Sequence, residues 1–167
     1  DHGIYVSGYD NIVIVNNLFY NHLEGWAIHL YSSGGSRALI ANNTFAFKNP
    51  DRDVHILIWQ NETGTRIFNN IFYQPGAYAI DLSGRSTFTD VEVRNNLTDA
   101  GRMIGTVPPG VIESGNIAST NPSLADPARF DFVLTAGSPA LDVGLPLSEV
   151  MTDFLGTRRP QGTAWDV

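Results

Sequence analysis

A pair of asparagines recurs along the chain at a nearly constant spacing. The pairs begin at Asn16, Asn42, Asn69 and Asn95, so the steps between them are 26, 27 and 26 residues. A shorter copy, Gly115-Asn116-Ile117, extends the series. A fixed period of this length indicates a stack of similar structural units. The alternative, a β-sandwich with Asn-rich turns, does not predict a fixed period.

Short strands surround each asparagine pair. In the first repeat, Gly3–Ser7 and Ile12–Val15 alternate between apolar and polar residues, and the apolar segment Leu18–Tyr20 follows the pair. Helical spacing is absent from all the repeats. Three short strands per repeat predict an all-β parallel β-helix, or solenoid, of about four three-stranded turns stacked at ~4.8 Å. Asparagine suits the corners because it tolerates a left-handed backbone and can form hydrogen-bonded ladders.

The end of the chain differs from the repeats. Beyond residue 116 the period is lost and Pro, Gly and Asp become frequent. We assign residues 1–118 to the solenoid and 119–167 to a wrapping tail of the same domain. We expect the tail to fold over the last turn and cover its open strand edges. The first turn lacks such a cover over Ile4 and Val6, which predicts a preceding segment or a homo-oligomer formed through this turn.

Several motifs of the tail, taken together with the repeats, are typical of a known family. They include Asn121-Pro122-Ser123-Leu124, Gly137-Ser138-Pro139-Ala140-Leu141-Asp142-Val143-Gly144 and Thr152-Asp153-Phe154-Leu155-Gly156. The chain thereby resembles right-handed parallel β-helix proteins of the pectate-lyase-like superfamily, and its tail is similar to that of many secreted bacterial members. The resemblance implies a secreted or cell-surface bacterial protein. It does not imply one function, because such folds include lyases, hydrolases, epimerases, tailspikes and adhesins.

Composition excludes several classes of protein. The chain has 17 acidic and 10 basic residues and a net charge of −7, which argues against binding to nucleic acid. The longest apolar runs have the length of a strand, so no membrane span is predicted. There is no cysteine, which excludes a disulfide scaffold and a thiolate metal site.

The outward side chains of the first strand in each turn are the candidate site. Strand alternation predicts three outward columns: Tyr5, His29, Leu57 and Asp81; Ser7, Tyr31, Trp59 and Ser83; Gly3, Ala27, His55 and Ala79. Exposed aromatic rings can stack on sugars, so we predict that Tyr31 and Trp59 bind substrate, helped by Arg52 from the charged loop 48–53. His29, His55, Asp81 and Tyr5 are the candidate acid and base groups.

These residues favour recognition of a polysaccharide or oligosaccharide, either by a binding protein or by part of a lyase-like enzyme. In a lyase or epimerase, His29 or His55 would act as the base and Tyr5 or Tyr31 as the acid. A hydrolase is disfavoured because it needs two carboxylates and the face offers only Asp81. No cofactor is predicted, although Asp51 and Asp53 could bind Ca²⁺. The alternatives are a solvated surface, a contact for the tail or a second copy, and a purely structural β-helix.

Overall fold

The computed structural model describes residues 1–31, 33–82 and 86–167, which form four turns with four short strands each. The first turn comprises β1 (Ile4–Val6), β2 (Tyr9–Asp10), β3 (Val13–Val15) and β4 (Leu18–Tyr20). The second comprises β5 (Ile28–Tyr31), β6 (Gly35–Ser36), β7 (Leu39–Ala41) and β8 (Thr44–Ala46). The third comprises β9 (Ile56–Trp59), β10 (Glu62–Thr63), β11 (Arg66–Phe68) and β12 (Ile71–Tyr73). The fourth comprises β13 (Ile80–Asp81), β14 (Phe88–Thr89), β15 (Val91–Arg94) and β16 (Leu97–Thr98).

Equivalent strands of successive turns pair in parallel. They form four sheets, ordered β1-β5-β9-β13, β2-β6-β10-β14, β3-β7-β11-β15 and β4-β8-β12-β16. We call these sheets A, B, C and D. The parallel solenoid of about four turns is therefore confirmed. The three predicted strands are present in every turn, and the strands of sheet B are an addition. They have only two residues each, too few for an alternating pattern to be recognised.

The first turn forms one edge of every sheet, and a partial fifth turn lies at the other end. There, β17 (Val111–Ser114) extends sheet C, and a parallel bridge joins Ile80 to Ile104. Homo-oligomerisation through the edge of the first turn stays a prediction. No helix within the described residues is long and apolar enough to cross a membrane.

Stacks of identical or similar side chains fill the interior. Ile28, Ile56 and Ile80 are register partners and are fully buried. The rings of Phe19, Phe45 and Phe72 lie parallel, with 4.8 Å between successive centroids. This distance matches the spacing between strands, so each ring packs directly on its neighbour.

The two asparagines of each pair have different structural roles. The first adopts a left-handed backbone, with φ of 57°, 51°, 54° and 50° at Asn16, Asn42, Asn69 and Asn95. The second points inward, where its amide hydrogen-bonds to the next turn, as in the 2.9 Å contact from Asn70 Nδ2 to Asn96 Oδ1. The ladder runs through Asn17, Asn43, Asn70, Asn96 and Asn116. The shorter copy at Asn116 therefore belongs to the repeat.

The tail starts with the antiparallel pair β18 (Leu124–Asp126) and β19 (Asp131–Leu134), joined by a 3₁₀ turn at Pro127–Arg129. It then runs back along the side of the solenoid. The outward amides of Asn95, Asn69 and Asn16 donate to the backbone carbonyls of Val143, Leu145 and Thr152, respectively.

This path differs from the expected cover over the last turn. Leu39, Ala41 and Phe68 form an apolar stripe on the outside of sheet C. Leu147 and Val150 of the tail pack against that stripe. Burial of this lateral surface therefore explains why the tail runs lengthwise.

Candidate functional site

Three large aromatic side chains project from the outer side of sheet A. Tyr5 on β1, Tyr31 on β5 and Trp59 on β9 are 51%, 41% and 51% exposed. Tyr31 and Trp59 are register partners, so their backbones are one strand spacing apart. With His2, Trp26 and His29 they form what we call the aromatic face. Ser83, predicted to continue the column of Tyr31 and Trp59, lies outside the described residues.

His29 lies at the centre of the aromatic face and is covered by rings. Its centroid is 5.2 Å from that of Tyr5, 5.2 Å from that of Tyr31 and 4.7 Å from that of Trp26. Only 7% of the residue remains exposed. Burial, reinforced by the neighbouring His2, lowers the pKa of His29 to about 4. His29 is therefore neutral at pH 7, as a general base must be.

His2 and Trp26 were not predicted from the sequence. His2 accepts a 3.0 Å hydrogen bond at Nδ1 from the Trp26 backbone N–H, and its Nε2 lies 3.2 Å from His29 Nδ1. The rings of His2 and Trp26 stack with an interplanar angle of 11°. Each lies two residues before the inward isoleucine of its turn, at Ile4 and Ile28. This equivalence is the signal by which the pair could have been found.

The prediction that His55 lies on the outer face is wrong. His55 is 4% exposed, and its ring packs 5.8 Å from Phe45 and 6.2 Å from Phe72. Its Nε2 lies 3.3 Å from the carbonyl oxygen of Tyr73, and burial lowers its pKa to about 4. The residue comes just before β9, at a corner where strand alternation no longer determines direction. Its side chain therefore joins the core.

Arg52 and Asp81 lie at opposite ends of the face. The Arg52 guanidinium lies 4.8 Å from the centroid of the Trp26 ring, a cation–π contact. Asp81 pairs with Leu57, which in turn pairs with His29. The backbones of His29 and Asp81 are therefore about 10 Å apart. The structure thus brings Tyr5 against His29, but it places Asp81 two strands away from them and His55 in the core.

Groups of opposite charge lie near one another both around Asp81 and in the loop of Arg52. Burial, followed by the charge of Asp81, raises the pKa of Tyr78, and Arg102 lies 5.7 Å from the Tyr78 ring centroid. In the charged loop, Lys48 Nζ is 3.6 Å from Asp53 Oδ1. Over residues 1–31, 33–82 and 86–167, no three His, Cys, Asp or Glu side chains are grouped to hold a metal. Calcium binding by Asp51 and Asp53 stays a prediction.

A buried carboxylate in sheet B also escaped the sequence analysis. Glu62 is almost fully buried, and both its oxygens lie 2.9 Å from the Tyr9 hydroxyl. Thr65 donates from its hydroxyl at 2.7 Å, and Gln60 donates from its amide. Three neutral donors therefore satisfy this charge internally, which indicates a structural role.

A shallow cavity of about 260 Å³ lies between the tail and sheet D. Its apolar lining includes Ile71, Phe132 and Leu134, and Arg159 lies among the polar groups. Arg159 donates to the backbone carbonyls of Thr152 and Asp166, so its guanidinium already holds two tail segments together. This contact indicates that Arg159 organises the tail.

Comparison with known proteins identifies one family. A family model described as a right handed beta helix region matches residues 1–123. The match covers all four turns and ends just before β18. No curated protein and no solved structure was found to match the chain.

Proposed function

Because this chain belongs to the right-handed β-helix family, whose fold does not by itself specify an activity, we propose that it is a carbohydrate-binding protein. Sugar rings would stack on the aromatic face. The observation that carries the proposal is the exposure of Tyr5, Tyr31 and Trp59 on three adjacent strands of one sheet. We further propose that the protein acts outside a bacterial cell, where polysaccharides are available.

Aromatic rings on an outer surface favour a ligand with apolar faces and polar edges. The C–H faces of a sugar can pack on the rings of Tyr31 and Trp59 and displace water from them. Phenol hydroxyls and the indole N–H at the edges of the rings can bond to sugar hydroxyls. At either end of the face, Arg52 and Asp81 supply charged groups of opposite sign.

Binding without catalysis fits the chemistry of the face better than lyase or epimerase activity does. Proton abstraction from a sugar needs an accessible base beside an acid. His29 Nδ1 is already paired with His2, His55 is in the core, and Asp81 is two strands from His29. A lyase or epimerase remains the alternative for a larger assembly that adds the missing groups.

The test is binding of the chain to an array of neutral and uronate oligosaccharides. We expect Trp59→Ala to weaken binding at least about tenfold, since ring stacking and buried apolar area together contribute more than 1.4 kcal/mol. Phe154→Ala is the matched control, because Phe154 is also exposed but belongs to the tail. Equal binding by both variants would refute the proposal.

A second measurement distinguishes sugar binding from self-association. Size-exclusion chromatography of the chain and of Trp59→Ala reports whether the aromatic face joins two copies. A failure to bind any glycan, with a dimer that Trp59→Ala disrupts, would assign the rings to an interface.

A further inference from the structure

The hydrogen bonds beneath the aromatic face determine where the protons of His2 and His29 lie. Because the Trp26 backbone N–H donates to His2 Nδ1, that nitrogen must be an acceptor. A neutral imidazole has one N–H, so the proton of His2 is on Nε2. His2 Nε2 then donates across 3.2 Å to His29 Nδ1. The proton of His29 is consequently on its own Nε2, which is buried and has no hydrogen-bond partner among the described residues.

In this arrangement each imidazole already uses its single lone pair. A proton added to His2 would go to Nδ1 and would oppose the Trp26 N–H. A proton added to His29 would go to Nδ1 and would place two N–H groups 3.2 Å apart. Either event therefore breaks a hydrogen bond, and a charge on His29, which is only 7% exposed, would also lie beneath the rings away from water.

The surrounding charges reinforce the neutral state. Burial lowers the pKa of His2, and the Arg52 guanidinium lowers it further. The phenols of Tyr5 and Tyr31 pack against His29. Within the described residues, neither imidazole is hydrogen-bonded to a carboxylate. Asp81 is two strands from His29.

We propose that His2 and His29 are positioning residues: they form a hydrogen-bonded pair of neutral imidazoles, which we call the relay, they hold the rings of Tyr5, Trp26 and Tyr31 in place, and they make the aromatic face release its sugar in acid. The pH-dependent release rests on the proposed function, whereas the relay itself does not. His29 thereby changes role, from the base predicted from the sequence to a support beneath the binding surface.

Nitrogen-15 NMR of the imidazoles tests the relay without any ligand. Long-range ¹H–¹⁵N correlation at pH 7.5 should show both His2 and His29 as the Nε2–H tautomer. A His29 ring with its proton on Nδ1, or a His2 ring that is charged at this pH, would overturn the relay. The spectra are recorded on the complete chain.

Two substitutions separate the relay from simple ring packing. His29→Asn keeps an acceptor near the position of Nδ1 but removes the ring, whereas His29→Phe keeps a ring and removes the acceptor. The relay predicts that His29→Asn retains more affinity than His29→Phe. The opposite order would show that His29 acts only as packing.

The pH profile of binding tests the release step, with cellohexaose and hexagalacturonate as the neutral and acidic probes. We expect the apparent Kd of the wild-type chain to rise at least about twofold between pH 7.5 and pH 4, because about half of the His29 imidazoles are protonated at the lower pH and the competent state is depopulated accordingly. Circular dichroism restricts the comparison to pH values at which the fold is intact. A constant Kd over this interval would overturn the release step.

Failure of the proposed function gives a different pattern. If neither probe nor any glycan of the array binds at any pH, both the carbohydrate proposal and the release step are refuted. The NMR tautomers still decide whether the relay exists.

Discussion

Acid should destabilise the whole solenoid through His55. This imidazole is neutral in the folded chain, where it packs against the phenylalanine stack and its pKa is lowered to about 4. In the unfolded chain it takes up a proton near pH 6.5. The folded pKa is the lower one, so the unfolded state binds more protons in acid. The free energy of unfolding must therefore fall as the pH drops from about 6.5 towards 4, and level off below that.

The magnitude follows from the two pKa values. Relative to pH 7.5, His55 alone removes about 2 kcal/mol of stability at pH 5 and about 3 kcal/mol at pH 4. Such a loss is a large fraction of the stability of an ordinary domain. His29, whose pKa is also lowered to about 4, acts in the same direction.

Urea unfolding at several pH values, followed by circular dichroism, measures this loss. His55→Phe keeps an aromatic ring beside Phe45 and Phe72 and removes the titrating group. We expect the variant to lose about 3 kcal/mol less than the wild-type chain between pH 7.5 and pH 4. His22→Phe is the control, because His22 is less buried and should change the slope less. Equal slopes for the wild-type chain and His55→Phe would refute the argument.

Three further predictions concern the polar groups of the solenoid. Asn70→Ala removes a buried ladder amide and should cost about 2–4 kcal/mol in urea unfolding, whereas Asn17→Ala at the edge of the ladder should cost less. Glu62→Gln places an amide N–H among three donors and should cost about 1–3 kcal/mol, and an unchanged unfolding midpoint would contradict the carboxylate assignment. Asn69→Gly keeps the left-handed backbone but removes both hydrogen bonds to Leu145, so limited proteolysis should cut the tail faster.

The asparagine period predicted much of the fold because one repeat recurs in several turns. Stacking of equivalent positions determined the register, the ladder and the phenylalanine stack together. It also identified Tyr5, Tyr31 and Trp59 as outward residues, since they lie within strands where alternation holds.

The errors occur where the repeat gives no information. His55 lies at a corner, and its environment depends on Phe45 and Phe72, which both come from sheet D. The ring cluster over His29 depends on His2 and Trp26, which precede the strands. The path of the tail depends on the apolar outer surface of sheet C. The tail sequence has no repeat, so no pattern in it indicates that it packs there. Long-range packing determines all three, and a local pattern does not describe it.

The outward asparagines tie the length of the tail to the number of turns. Each turn presents one such amide, and the tail meets those of the fourth, third, second and first turns at Val143, Leu145, Asp166 and Thr152, respectively. Duplicating one turn would extend the inner ladder without any mismatch. The same insertion would leave an outward amide without its carbonyl and a band of sheet C uncovered. The length of the tail thus matches the number of turns, and the solenoid can gain or lose a turn only if the tail changes with it.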